Sequence, residues 1–119
     1  MRILIIDDEI HVATMLADAV SLQGHEVTLA HDGEEGLALL QQSPPDALIL
    51  DVKLGELSGI EVLRQVRRDR PGLPVVLITG HAVPDQLDEA RRLGVTDIVE
   101  KPFALVQLSV ALESLGSAS

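Results

Sequence analysis

Cysteine is absent from the 119 residues, so disulfides and thiolate metal sites are excluded, and the chain suits a reducing compartment. Aromatic residues are nearly absent as well: Phe103 stands alone, and an apolar fraction of 46% must build its core almost wholly from aliphatic side chains. Positive charge is scarce. Nine lysines and arginines face nineteen acids for a formal charge of −10, a surface that phosphate backbones and anionic lipid repel. Direct nucleic-acid binding by this domain is therefore not expected. No stretch approaches the roughly 20 apolar residues of a membrane span, and Met1-Arg2 runs into a short apolar segment rather than a signal-peptide pattern. The expectation is a cytoplasmic protein without membrane contact. Its length suits one domain over 1–119, with an ordered core at about 2–115. The closing LGSAS resembles the start of a linker.

What is present is a rhythm. Short aliphatic runs of strand length recur as RILII (2–6), EVTLA (26–30), DALIL (46–50), PVVLI (74–78) and a weaker TDIVE (96–100). Segments with helical spacing lie between and after them, over 9–23, 33–42, 59–69, 84–93 and 103–115. In the first, Ile10, Ala13, Leu16 or Ala17, and Val20 share a face, and Gly24 and Gly94 mark helix ends. Strict alternation of strand and helix implies an α/β fold, a doubly wound parallel sheet with helices on both faces. Strands buried on both sides need continuous Ile, Leu and Val, as these have.

In open sheets of this kind, functional groups collect at the carboxyl ends of the strands. Four of the five strands end on reactive chemistry: Asp7-Asp8, Asp51, Thr79 and Lys101. Taken singly, each has an ordinary explanation, an acid as a helix cap or a threonine in a turn. Together they define a pocket. Three carboxylates at close quarters need a counter-charge, which a hard cation such as Mg²⁺ provides while retaining sites for phosphate oxygens. A carboxylate beside such an ion can act as nucleophile towards a phosphoryl group. Metal, Lys101, Thr79 and the Gly80 N–H would then neutralise the phosphoryl oxygens.

In the order and spacing of DDE (7–9), Asp51 within LILDVKLGELSG, TGHA (79–82) and EKPF (100–103), the sequence resembles a response-regulator receiver domain of two-component signal transduction, over residues 3 to about 115. The resemblance implies a flavodoxin-like (βα)5 fold with strand order 2-1-3-4-5. It implies Asp51 as phosphoacceptor, Asp8 as a direct Mg²⁺ ligand, Asp7 as a ligand mainly through water, and the Lys53 carbonyl as the remaining protein ligand. Thr79 and Lys101 would bind the phosphoryl group, and Lys101-Pro102 would be a cis peptide. The donor would be a histidine kinase or phosphotransfer protein. Phosphorylation would change binding to a fused or separate output domain, or homodimerisation, through the face of helix four, strand five and helix five. Val106 and Val110 are candidates on that face. Such a module catalyses its own phosphorylation and dephosphorylation without being a conventional turnover enzyme.

Three positions depart from the family pattern. Gly55 replaces a common proline, Ile98 replaces the aromatic residue that swings with the threonine, and Lys53 lies two residues past the acceptor. His81 borders the pocket in sequence, whereas His11, His25 and His31 are expected at the surface. The arginines in RQVRRDR (64–70) are expected to be solvated at a helix end. Other functions fit less well. A scaffold of the same fold that binds partners without phosphorylation would not need the full acid, threonine and lysine set. An aspartyl-phosphate phosphatase resembles Asp-x-Asp where this chain has DDE, and a flavin-phosphate binder would not place acids in its phosphate loop.

Overall fold

The computed structural model describes residues 1–54, 57–80, 84–101, 110 and 113. Five strands, β1 (Arg2–Ile6), β2 (Glu26–Ala30), β3 (Ala47–Asp51), β4 (Val75–Thr79) and β5 (Asp97–Glu100), alternate with four helices. These are α1 (Ile10–Leu22), α2 (Gly33–Gln42), α3 (Gly59–Asp69) and α4 (Pro84–Arg92). The fifth predicted helix lies mostly outside the described residues; Val110 and Glu113 within it are helical. None of the described helices is long and apolar enough to cross a membrane.

The sheet is parallel throughout, in the order β2-β1-β3-β4-β5. Alternating side chains divide the core between its faces. Leu4, Ile6, Leu48, Leu50, Val75 and Leu77 join Leu40 of α2, Leu63 and Val66 of α3, and Ala90 of α4 on one side. Ile3, Ile5, Ile49, Val76 and Ile78 join Leu16 and Val20 of α1 on the other. β3 and β4 are buried along their whole length, which explains their unbroken aliphatic character.

Helix ends follow local chemistry. Asp32 caps α2 by accepting from the Glu35 N–H at 2.7 Å, and Ser58 caps α3 by accepting from the Ile60 N–H at 3.1 Å. Gly24 and Gly94, past the ends of α1 and α4, have φ of 88° and 75°, the left-handed region that glycine enters without a Cβ penalty. In α1, Ala13, Leu16 and Val20 are buried as expected, but Ile10 is 66% exposed. β1 ends at Ile6, so the first turn of α1 stands at the rim with no strand beneath it.

The chain passes from β1 to β2 on one side and then returns to place β3 on the other side of β1. Connections therefore diverge between β1 and β3, leaving a crevice at their carboxyl ends. Ile6 pairs with Leu50, setting Asp7 level with Asp51. Asp51 pairs with Ile78 and Thr79 with Glu100, so Thr79 and Lys101 arrive at the same rim.

Candidate functional site

Asp7, Asp51 and Thr79 are the buried polar side chains at this rim, 1%, 2% and 3% exposed. Each is fixed by the strand it ends or follows, and each would bury its polar group at a cost unless partnered. One oxygen of Asp7, Oδ1, accepts from the Glu9 N–H at 2.9 Å. Oδ2 is buried and has no hydrogen-bond partner among the described residues. Burial raises the Asp7 pKa, the Glu9 N–H opposes that rise, and the Asp51 carboxylate adds to it, leaving Asp7 at about 6.

Lys101 holds the acids together. Its Nζ donates to Asp51 Oδ2 at 2.7 Å and to Glu9 Oε1 at 3.1 Å, and stands 3.8 Å from Asp7 Oδ2. Burial works against the ammonium charge, but the bonds to Asp51 and Glu9 and the charges of Asp51 and Asp7 outweigh it and raise the pKa. Its backbone N–H bonds the Thr79 carbonyl at 2.7 Å, tying β5's exit to β4's end. The second Asp51 oxygen, Oδ1, accepts from the Lys53 N–H at 3.1 Å. Asp51, Lys53, Thr79, Gly80 and Lys101 line a cleft of about 300 Å³, joined by Glu9, Ser58 and Gln86.

One ligand atom from each of Asp7, Asp8 and Asp51 falls within 4.8 Å of the others. The donor set fits a hard divalent cation. All donors are carboxylate oxygens, Asp8 is open to solvent, and the buried Asp7 Oδ2 needs a positive partner. One lysine cannot neutralise three carboxylates and Glu9 together.

The sequence-predicted residues Asp7, Asp8, Asp51, Lys53, Thr79 and Lys101 are thus brought to one rim. Ile98, half-buried, packs against the core face shared by α2, α3 and α4. Gly55, His81, Val106 and the Lys101-Pro102 peptide geometry lie outside the described residues. His25 is not a free surface group: its Nδ1 lies 3.1 Å from the Met1 amine, and burial together with that charge lowers its pKa. Gly59 is not among the residues predicted from the sequence. A Cβ there would collide with the Asp51 carbonyl oxygen, so only glycine lets α3 begin directly beneath the acceptor strand. The SG ending of LILDVKLGELSG was the available signal. Glu9's bond to Lys101 was also unforeseen, since the two are far apart in sequence.

The arginine segment requires a correction. Arg67 is half-buried, and its guanidinium donates to four carbonyls, those of Leu93 (2.5 Å), Leu73 (2.7 Å), Gly94 (3.1 Å) and Arg70 (3.2 Å). It is drawn inward because the segments that follow α3 and α4 both present backbone carbonyls to it. Arg64 forms a two-pronged pair with Glu89 of α4, one arm at 2.7 Å, and Arg70 reaches the Leu40 carbonyl at 3.4 Å. Arg68 remains exposed.

Comparison with known proteins agrees with this geometry. Residues 3–113 match the family model described as response regulator receiver domain. The chain is 38% identical over 115 residues to the response regulator MprA of Mycobacterium avium, covering 97% of this chain and 50% of MprA. It is 38% identical over 112 residues to the regulatory protein AtoC of Escherichia coli, covering 94% of this chain and 24% of AtoC. It thus spans half or less of these relatives' length. Among solved structures, a CheY-like receiver domain protein from Methanospirillum hungatei superposes with a TM-score of 0.92 at 27% identity, covering 98% of this chain and 94% of that one. The receiver domain of NtrX from Brucella abortus gives 0.91 at 34% identity, with 98% and 99% covered. The chain belongs to the response-regulator receiver domain family.

Proposed function

We propose that Asp51 accepts a phosphoryl group from a histidine kinase or phosphotransfer protein, and that the modified domain changes its binding to an output partner or to a second copy. The observation that carries this reading is the Lys101 Nζ, 2.7 Å from a buried Asp51 oxygen and 3.8 Å from Asp7, at the mouth of a cleft that also holds Thr79. An Asp51 oxygen attacks phosphorus with a lone pair. The bond from phosphorus to the donor's nitrogen breaks, and the nitrogen leaves with the electron pair, so nothing is oxidised or reduced. Lys101 and the Thr79 hydroxyl bind phosphoryl oxygens, and the Lys53 N–H holds the acceptor carboxylate in position. Mg²⁺ would be held by Asp7, Asp8, Asp51 and the Lys53 carbonyl, where it supplies positive charge to the phosphoryl oxygens. Hydrolysis reverses the state: water oxygen attacks phosphorus and the Asp51 carboxylate departs.

The added phosphoryl group brings about −1.5 to −2 charges to a rim where the Lys101 ammonium is already shared between Asp51 and Glu9. Lys101 and Thr79 would turn towards it, biasing an existing equilibrium of the segment after β4 and of α4. Ile98 is aliphatic and packed on the core, so the change passes through backbone and α4 rather than an aromatic rotation. Val110, helical and 53% exposed, marks the adjoining face.

Incubation with phosphoramidate or acetyl phosphate and Mg²⁺ should add one phosphoryl group by intact mass. Asp51→Asn or a chelator should reduce it to background. Labelling that persists in Asp51→Asn would place the nucleophile elsewhere. Val110→Glu should leave labelling intact while weakening self-association in sedimentation or binding to the output partner.

A further inference from the structure

The proposed chemistry uses Asp7, Asp8, Asp51, Thr79 and Lys101 together with the Lys53 backbone, and gives the Glu9 carboxylate no task. Glu9 occupies the N-cap position of α1, where an acid ordinarily accepts a hydrogen bond from the first-turn N–H groups. Its side chain makes no such bond. It turns instead to Lys101 Nζ at 3.1 Å, lines the same cleft as Asp51, and keeps 59% of its side chain exposed. The helix forgoes a cap, and a negative charge stands at the entrance through which the phosphoryl group must come.

We propose that Glu9 is a specificity-determining residue that biases the site against small dianionic acyl phosphates and towards donors whose phosphoryl group is carried on nitrogen. The proposal rests on Asp51 being the acceptor. In transfer to Asp51 the leaving group lies roughly in line, directed away from the nucleophile and towards the cleft mouth. An acyl phosphate brings two negative charges past Glu9 and releases a carboxylate beside it. Phosphoramidate brings one charge fewer, and its leaving nitrogen carries protons that a carboxylate attracts. A neutral residue at position 9 removes the repulsion from the first donor and the attraction from the second, so the ratio of the two rates moves even where each rate changes little. Because Glu9 is exposed, the effect is a screened one, a few-fold rather than many orders of magnitude.

The test compares initial rates of Asp51 labelling by acetyl phosphate and phosphoramidate, with Mg²⁺, in wild type, Glu9→Gln, Glu9→Ala and Glu34→Gln. Glu34 is exposed on α2 and does not line the cleft, so its variant controls for net charge alone. The expected result is a rise of about three- to tenfold in the acetyl phosphate to phosphoramidate ratio in both Glu9 variants, absent in Glu34→Gln. The rise should shrink at about 0.5 M salt, where charges are screened within a few ångströms. Thermal midpoints should stay close to wild type, since a merely structural role would shift the midpoint and leave the ratio alone. An unchanged ratio in wild-type-like labelling overturns the role of Glu9 and spares the phosphoacceptor. A shift in Glu9→Ala alone assigns the effect to the lost tether on Lys101 and overturns the charge argument, as would an equal shift in Glu34→Gln. Wild type that accepts a phosphoryl group from no donor takes down both readings.

Discussion

Among the described residues, two places bury charge, and they solve the problem in opposite ways. At the carboxyl-end rim, carboxylates from β1 and β3 crowd one ammonium, and a buried Asp7 oxygen is left without a hydrogen bond among the described residues. At the far ends of α3 and α4, Arg67 pairs with no carboxylate among the described residues, yet its guanidinium engages four backbone carbonyls. The clamp is satisfied within the folded chain, while the rim keeps a buried carboxylate oxygen without a hydrogen bond among the described residues. A structural site closes its hydrogen bonds internally; a site that receives a ligand holds some of them in reserve.

The largest stability effect should come from breaking the clamp. Arg67→Ala leaves the carbonyls of Arg70, Leu73, Leu93 and Gly94, in the segments that follow α3 and α4, short of a donor, with a loss of roughly 2–4 kcal/mol after water partly replaces the fork. Arg67→Lys should recover only part of this, because a single ammonium cannot span acceptors set by a planar group. Denaturant unfolding measures both, and neither loss should depend on Mg²⁺. If Arg67→Ala unfolds like wild type, the carbonyls are already served by solvent and the clamp carries no stability.

The rim should behave in the opposite sense, with stability set by pH and metal. Asp7 has a folded pKa of about 6 against an ordinary 3.8, so the metal-free fold prefers it protonated. Its contribution is fully present below about pH 4 and is lost as pH rises through 6, an amount of roughly 2–3 kcal/mol. In a chelator, this group alone should make stability fall across that window. Asp7→Asn, which keeps the shape without the charge, should flatten the decline and leave the metal-free protein more stable at pH 7. A metal-free protein with the same slope in wild type and Asp7→Asn would remove Asp7 as its source.

Legibility divides along the same line. The strands could be read because side chains buried on both faces must be aliphatic, and RILII and EVTLA mark β1 and β2 to the residue. β3 and β4 run one residue further than their apolar runs, ending on Asp51 and Thr79, because polar side chains at a rim can still pair by backbone. The acids, threonine and lysine of the rim were readable for a related reason: side-chain chemistry at strand ends leaves a trace in the sequence. The Arg67 clamp leaves none. Its acceptors are backbone atoms that every residue possesses, and Leu93 and Gly94 lie in another loop. Gly59 and Glu9 were opaque for lack of a third dimension, since their partners are set by where β3 and β5 end.

A smaller effect should come from adding a divalent cation. Mg²⁺ that binds only the folded chain stabilises it by mass action, on the order of 1–2 kcal/mol at ten to thirty times its Kd. Asp8→Ala should abolish this gain, because Asp8 is the solvent-facing carboxylate of the three-acid group. Thermal unfolding against Mg²⁺ concentration gives the comparison directly. Asp8→Ala that responds as wild type does would assign the ion to other ligands.

The smallest effect belongs to the pair that most resembles a structural link on inspection. Arg64 and Glu89 join α3 to α4 by two hydrogen bonds, as Arg67 does with its carbonyls. The pairing raises the arginine's pKa and lowers the glutamate's, yet Arg64 is more than half exposed, and water competes for both groups. Arg64→Ala should therefore shift the thermal midpoint only slightly at low salt and not measurably at high salt. Arg67→Ala should lose nearly the same stability at either ionic strength, because its acceptors are uncharged backbone dipoles. Measuring both variants at two salt concentrations separates the inter-helix contact that looks strong from the one that is. Equal salt sensitivity in the two would mean that burial does not distinguish them.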